Sequence, residues 1–413
     1  MILTLKEQNI LAGKDGRAAR KAMEILVALG TIYSAERMLP VSSVQVAGVS
    51  YDNLGEAGLQ WLDEMADGGG RARVLTTLNP AGMDVENWQA LGIPADFARN
   101  QQRVLEAFAC MGVQVTCTCT PYLSGNTPGF GEHIAWAESS AVCYANSVLG
   151  ARTNREGGPS ALAAALTGRT PAYGYHLDEN RAPSVAVEVR AGVQGTHAFG
   201  ALGRAIGEQL EARKLRPVPY VRGVERASLE ELKSFCASLA TYGGAALFHM
   251  AGITPEADRF APEREPFFPE VEQFAPPECL TISQAEIDAA AEALDDAGEA
   301  EVDFVSLGCP HLSIDEIAHL AELLRGQAVV KEFWITTARP VKQLADRMGY
   351  TQVIEASGAK FAVDTCCVVA PIKGRFTALA TDSAKACYYA YAKNKFKTRF
   401  LPFDEVVQQA LKR

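Results

Sequence analysis

The chain has 413 residues, 48% of them apolar and 21% charged, which is enough to bury a core in two or three lobes. A formal charge of -10 repels polyanions over most of the surface, so neither nucleic acid nor an anionic membrane is an expected partner. The opening Met1-Ile2-Leu3-Thr4-Leu5-Lys6-Glu7 turns polar at once, unlike a secretory signal, and no apolar run approaches the roughly 18 to 20 residues of a membrane span. A cytoplasmic location is expected, so the ten cysteines are expected to be reduced thiols, free for metal binding or catalysis or packed in the core.

In chain order, Thr4 and Glu7 fit a capping box, Gly13 and Gly16 interrupt, and Ala22, Met23, Ile25, Leu26 and Leu29 form the stripe of a helix that Gly30 is expected to end. Strand and helix patterns then take turns: strands over 41–46, 74–78 and 113–116, helices over 54–65 and 96–111. Further on come strands over 217–221 and 245–250, with a helix starting near Ser228 between them. A polar, proline-rich stretch with Phe260, Phe267, Phe268 and Phe274 marks a linker-like boundary at 256–280. It separates one or more α/β lobes over 1–255 from a C-terminal α/β lobe over 281–413. Beyond it, Ser283 with Glu286 and Ser313 with Glu316 open helices, strands fall at 302–307 and 329–336, and a last helix covers 403–411. The alternation predicts α/β layers with largely parallel sheets.

Three cysteines stand where predicted strands end: Cys119 in Cys117-Thr118-Cys119-Thr120-Pro121-Tyr122, Cys309 in Leu307-Gly308-Cys309-Pro310-His311, and Cys366 in Asp364-Thr365-Cys366-Cys367. The carboxyl ends of parallel strands line the ligand crevice of an open α/β sheet, so three thiolates delivered there could meet around one metal. On spacing alone, separated single cysteines fit structural thiols better than a metal motif. The segment from Gly131 to Ser160 carries His133, Glu138, Ser139, Arg152, Asn154 and Arg155 among small residues, a set suited to a carboxylate or phosphate pocket. His133 and His311 are candidates for proton transfer or for orienting a ligand. The small turns at Gly48-Val49-Ser50 and Asn79-Pro80 read as ordinary loops or as a pocket edge.

The strings Cys119-Thr120-Pro121-Tyr122, 131–141, 145–160, Gly308-Cys309-Pro310-His311 and Asp364-Thr365-Cys366 resemble the aconitase X family, and the similarity runs nearly end to end. The resemblance implies a three-lobed, aconitase-like body of layered parallel sheets that lacks the swivel domain. It implies that Cys119, Cys309 and Cys366 hold an iron-sulfur cluster, a 4Fe-4S cluster before a 2Fe-2S cluster or a single iron, while Cys117 and Cys367 do not. By the same resemblance Gly48, Val49, Ser50, Asn79, Pro80, Glu138, Ser139 and Lys373 would contact substrate, with Glu138, Ser139 and His133 as candidate catalytic groups.

The Cys-Thr-Pro-Tyr string, with Ala-Trp-Ala-Glu-Ser-Ser downstream, is similar to the branch that dehydrates (R)-5-phosphomevalonate to trans-anhydromevalonate 5-phosphate; the other branch takes cis-3-hydroxy-L-proline. The resemblance also implies a heterodimer, in which a small swivel-domain subunit brings a catalytic serine to a small anionic hydroxy acid. The alternative from another class is a non-catalytic iron-sulfur sensor, which would need a basic face for a macromolecule.

Overall fold

A computed structural model describes residues 1–261, 278–298 and 300–412, and in it three parallel sheets are arranged one after another along the chain. The first unit runs α1 (Leu5–Leu11), α2 (Arg17–Ile32), β1 (Met38–Pro40), β2 (Ser43–Val46), α3 (Tyr51–Asp67), β3 (Leu75–Leu78), α4 (Ala95–Cys110), β4 (Ala135–Trp136), α5 (Ser139–Ser147), α6 (Gly158–Thr167) and β5 (Arg169–Pro171). Its parallel sheet has the order β3-β2-β4, while β1 and β5 pair antiparallel beside it. The capping box of Thr4 and Glu7 forms, satisfying two backbone donors at the start of α1.

Two sequence expectations fail here for local reasons. Gly30 does not end α2; it is buried inside the helix, where a Cβ would lie 2.8 Å from the sulfur of Met1 and 3.3 Å from the Pro171 side chain. Close packing, not helix termination, is what asks for glycine there. Residues 113–116 do not form a strand but touch β3 through a single bridge, Thr77 to Gln114. The chain then leaves the sheet through Cys117, whose φ of 43° lies in the left-handed region.

The second unit contains β6 (Val185–Arg190), α7 (Thr196–Ala212), β7 (Pro219–Arg222), α8 (Leu229–Tyr242), β8 (His249–Met250), β9 (Cys279–Ser283) and α9 (Gln284–Glu292). Its sheet has the order β8-β7-β6-β9, all parallel. The linker-like stretch expected at 256–280 falls mostly on 262–277, outside the described residues; on its far side β9 pairs with β6, on the same sheet as the strands that precede the stretch. Capping boxes at Ser228 and Ser283 open α8 and α9.

The third unit comprises β10 (Phe304–Leu312), α10 (Ile314–Leu324), β11 (Glu332–Thr337), α11 (Arg339–Arg347), α12 (Tyr350–Ala356), β12 (Lys360–Val363), β13 (Ala378–Thr381), α13 (Ala384–Tyr389), β14 (Lys397–Phe400) and α14 (Phe403–Leu411). The five strands are parallel in the order β12-β11-β10-β13-β14. Both faces are covered by helices, so the inward residues Val305, Leu307, Ile335, Phe361 and Ala380 are buried with Ile317, Leu320 and Val406, as a parallel sheet requires. A π-helical turn, Ala390–Asn394, follows α13 directly. Among the described residues no helix is long and apolar enough to cross a membrane.

Candidate active site

The carboxyl ends of β2, β3, β4 and β12 and the interior of β10 at Cys309 face one cavity of about 210 Å³. Its wall includes Asn79 and Pro80 after β3, Glu138 and Ser139 after β4, Cys119, Cys309 and Cys366, together with Arg155, Lys385, Tyr389 and Lys393. The three cysteines therefore share one cavity although Cys119 comes from the first unit of the chain and Cys309 and Cys366 from the third.

Each cysteine is carried by a tied loop. The Thr118 N–H donates to Leu78 O at 2.9 Å and Gln45 Nε2 donates to Thr118 O at 2.9 Å, which fixes the Cys119 loop on the ends of β3 and β2. Cys309 lies inside β10, where the register with β11 breaks between Leu307 and Leu312. The break needs Gly308: its φ is 104°, and a Cβ would lie 2.2 Å from Thr336 O. Asp364, with φ of 65°, turns the chain from β12 into the Cys366 loop, and Arg339 pairs with its carboxylate and with Asp84, 3.1 Å away. Asp84 in turn accepts from the Val363 N–H at 3.0 Å.

His311 joins the three loops. Its backbone N–H donates to the Cys119 sulfur at 3.2 Å, and its ring nitrogens meet Thr118 Oγ1 at 3.0 Å and Thr365 O at 2.9 Å. A carbonyl only accepts, so Nε2 carries the proton and Nδ1 accepts from the Thr118 hydroxyl. With both nitrogens engaged and the ring buried, His311 orients the cysteine loops and has no nitrogen left for proton transfer.

Glu138 caps α5. Its carboxylate accepts from the Ala141 N–H at 2.7 Å, Ser140 Oγ at 2.6 Å and Ser139 Oγ at 3.3 Å, and pairs with the Lys385 ammonium. Burial alone would raise its pKa, but Lys385 and these hydrogen bonds outweigh it and hold the carboxyl down at about 2. The same pairing overcomes burial at Lys385 and pushes its pKa up. The two groups are a fixed anion and a fixed cation, so neither is a base poised near neutral pH. Burial pushes all three cysteine thiols up, Cys309 to about 12, while the Lys385 ammonium works against it at each sulfur.

Other sequence candidates are placed differently. Gly48 lines an adjoining apolar cavity of about 320 Å³ that shares Ala47 with the first. Val49 is in the core, its carbonyl held by Gln101 Nε2 at 3.0 Å, and Ser50 Oγ donates to Val369 O at 3.2 Å, so both buttress the wall rather than line it. His133 and Arg152 bridge to each other on the flank of the first unit: His133 Nδ1 meets His176 Nδ1 at 3.0 Å, and Arg152 pairs with Asp178 at 2.5 Å. Asn154 holds Tyr173 O and the Tyr175 N–H at 3.0 and 2.9 Å. None of these three lines the cavity, because the chain bridges here and successive side chains point to opposite faces. Lys373 is exposed and does not line it either. Lys385, Tyr389 and Lys393, which do, were not anticipated from the sequence.

Family models of aconitase X match the chain in three consecutive parts: the first domain over residues 1–179, the second over 183–292 and the third over 302–412. The chain belongs to the aconitase X family. The three parts correspond to the three parallel sheets. A phosphomevalonate dehydratase large subunit from Methanothermobacter thermautotrophicus is 45% identical over 93% of this chain and 92% of its own. A cis-3-hydroxy-L-proline dehydratase from Pseudomonas aeruginosa is 35% identical over 98% of this chain but 69% of its own. The crystal structure of an aconitase X from Thermococcus kodakaraensis, in its holo form, superposes with a TM-score of 0.89 at 43% identity, covering 99% of this chain and 100% of that one. Aconitase X relatives of both kinds are dehydratases by name, and the mixed α/β architecture is shared across the whole chain.

Proposed function

We propose that this aconitase X chain is the iron-binding large subunit of a hydro-lyase that converts (R)-5-phosphomevalonate to trans-anhydromevalonate 5-phosphate. The observation that carries the reading is the single cavity lined by Cys119, Cys309 and Cys366 together with the Lys385–Glu138 pair and further cations. The 45% identity to a phosphomevalonate dehydratase large subunit, against 35% to a hydroxyproline dehydratase, favours the phosphorylated substrate.

The donor set fits an iron-sulfur cluster. The backbone N–H of His311 points at the sulfur of Cys119, as a coordinating thiolate needs. Among the described residues no three His, Cys, Asp or Glu side chains are drawn together tightly enough for a bare metal ion. When bound through three thiolates, such a cluster supplies an open Lewis-acid position that makes a tertiary hydroxyl a feasible leaving group.

The chain's own residues bind and orient. Lys385 is a permanent cation beside the cysteines for the substrate carboxylate, and Glu138 keeps it in place. Asn79 Oδ1 is buried in the cavity wall without a hydrogen-bond partner among the described residues, an acceptor left over for the substrate. Dehydration breaks the C–O bond at the tertiary carbon and a C–H bond beside the carboxylate, forming the C=C bond and water. The proton needs a base, and the ionisable groups on this wall with fixed protonation, Glu138 and Lys385, do not supply one. That task falls to a serine of a small swivel-domain partner, which would also close the cavity against water. The partner is supported by the "large subunit" name of the phosphomevalonate relatives and by the greater length of the hydroxyproline dehydratase. The acidic composition of the chain counts against a sensor of nucleic acid.

The test is co-expression with the small subunit, anaerobic purification, and assay of both substrates. Turnover of (R)-5-phosphomevalonate well above that of cis-3-hydroxy-L-proline supports the assignment. The reverse preference, or no turnover by an iron-loaded pair, removes it.

A further inference from the structure

Three cations line the cavity, Lys385, Lys393 and Arg155, against one carboxylate, Glu138, which Lys385 already neutralises. Two positive charges are therefore left over. We propose that Arg155 and Lys393 form a second anion subsite in this cavity that binds the phosphoryl group of the substrate and sets the preference for phosphorylated hydroxy acids. The inference rests on the substrate class proposed above and deepens it.

Arg155 sits in the loop between α5 and α6, is exposed at the cavity wall, and makes no ion pair among the described residues. A guanidinium kept unpaired at a pocket wall presents its fork to a tetrahedral oxyanion. Lys393 lies on the π-helical turn after α13, two turns beyond Lys385, and its Nζ donates to Val369 O at 3.0 Å. It stands 3.6 Å from the Asp52 carboxylate, and both side chains are about one-third exposed, at 28% and 36%. Such a loose, solvated pair contributes little, so a phosphoryl group of roughly -1.5 to -2 charge can displace Asp52 from Lys393. Asp52 is a placeholder that keeps the ammonium aimed along the wall until the substrate enters. Lys385, held by Glu138 in the same wall, is the remaining cation and the one left for the carboxylate. A substrate with two anions engages both Lys385 and the Arg155–Lys393 pair. A hydroxyproline has no second anion for Arg155 and Lys393.

The experiment uses the reconstituted two-subunit enzyme carrying Arg155→Gln, Lys393→Gln or both. The expected result is a KM for (R)-5-phosphomevalonate raised about tenfold in each single variant and about a hundredfold in the double, with kcat within about threefold of the parent. Residual turnover of unphosphorylated (R)-mevalonate should change by less than about threefold, and Arg155→Lys and Lys393→Arg should recover most of the lost affinity. Equal losses on both substrates, or no loss on either, would overturn the subsite. Inorganic phosphate supplies a readout that does not depend on the substrate assignment: it should raise the Tm of the parent, relative to chloride at the same ionic strength, and not that of the double variant. A parent inactive on phosphomevalonate but stabilised by phosphate through these two residues would sink the proposed function and keep the subsite. Equal phosphate effects in parent and double variant, or none in the parent, would sink the subsite.

Discussion

Glu138 and Lys385 form an ion pair across 247 positions of sequence, with both side chains buried in the wall of the cavity that holds the three cysteines. The pair joins the first unit of the chain to the third, since Glu138 caps α5 and Lys385 lies on α13. It also holds Glu138 ionised and Lys385 protonated near neutral pH, so both charges stay in place beside the cysteines.

Breaking that pair from one side should be costly. Glu138→Gln keeps the size of the side chain but leaves the ammonium uncompensated, which costs about 3 to 5 kcal/mol when a buried pair loses one partner. Denaturant unfolding of the purified chain should show this loss, and Glu138→Gln/Lys385→Met should recover most of it without recovering turnover. A Glu138→Gln protein as stable as the parent would mean that the pair is solvated in solution.

Gly308→Ala is expected to damage the site through the backbone. The new methyl would lie 2.2 Å from Thr336 O at a φ of 104°, so β10 and β11 must separate at the point where Cys309 is delivered. A loss of about 2 to 4 kcal/mol is expected, together with weaker iron retention. Gly112→Ala is the control: its φ is 78° but nothing lies within 4 Å of the added methyl, so the cost should stay near 1 to 2 kcal/mol with iron content unchanged.

The buried histidines should subtract stability as the pH drops below about 6.5, against an opposite contribution from Asp364 and Asp382, whose carboxyls burial pushes up to about 6. Burial pushes His249 down to about 4 and His176 down to about 3, and lowers His133 as well. His249 faces Glu256, Arg181 and Arg259 and donates to Arg181 O at 2.8 Å; His176 faces His133, Arg181 and Arg152. These imidazoles stay neutral in the fold and take up protons on unfolding at their ordinary pKa, so the stabilisation is complete above that value and is lost as the pH falls toward the folded one. Each should contribute a slope of up to about 1.4 kcal/mol per pH unit between roughly pH 6 and 5. Removing one titrating ring with His249→Asn should flatten the dependence of stability on pH across that window; an unchanged slope would place the proton uptake elsewhere.

Much of this architecture was legible in the sequence because strand ends advertise themselves. Cys119, Cys309 and Cys366 all line one cavity, although only Cys366 follows a strand end: 113–116 forms no strand and Cys309 lies inside β10. The same logic applied to β13 and the small residues after it, Ser383 and Ala384, would have pointed to Lys385. Lys393 had no such signal, since it reaches the wall through a π-helical turn that no residue pattern announces. His133, Arg152 and Asn154 drew notice by crowding together in sequence, but on extended chain crowding distributes side chains over two faces, and theirs turn to Asp178, His176 and Tyr173. Gly30 carried an ambiguous signal, because close packing and helix termination call for the same residue.

The most direct test of the account is whether the three cysteines hold the group on which turnover depends. Cys119→Ser, Cys309→Ser and Cys366→Ser should each be prepared anaerobically with the small subunit, quantified for iron and sulfide, and supplied with 13C-labelled (R)-5-phosphomevalonate under NMR observation. The account predicts that the parent binds iron and sulfide and forms the alkenoic product, and that each variant keeps a folded circular dichroism spectrum while losing both the cluster and the product signal. Undiminished product from any of the three variants, or from a parent preparation without iron, would contradict it.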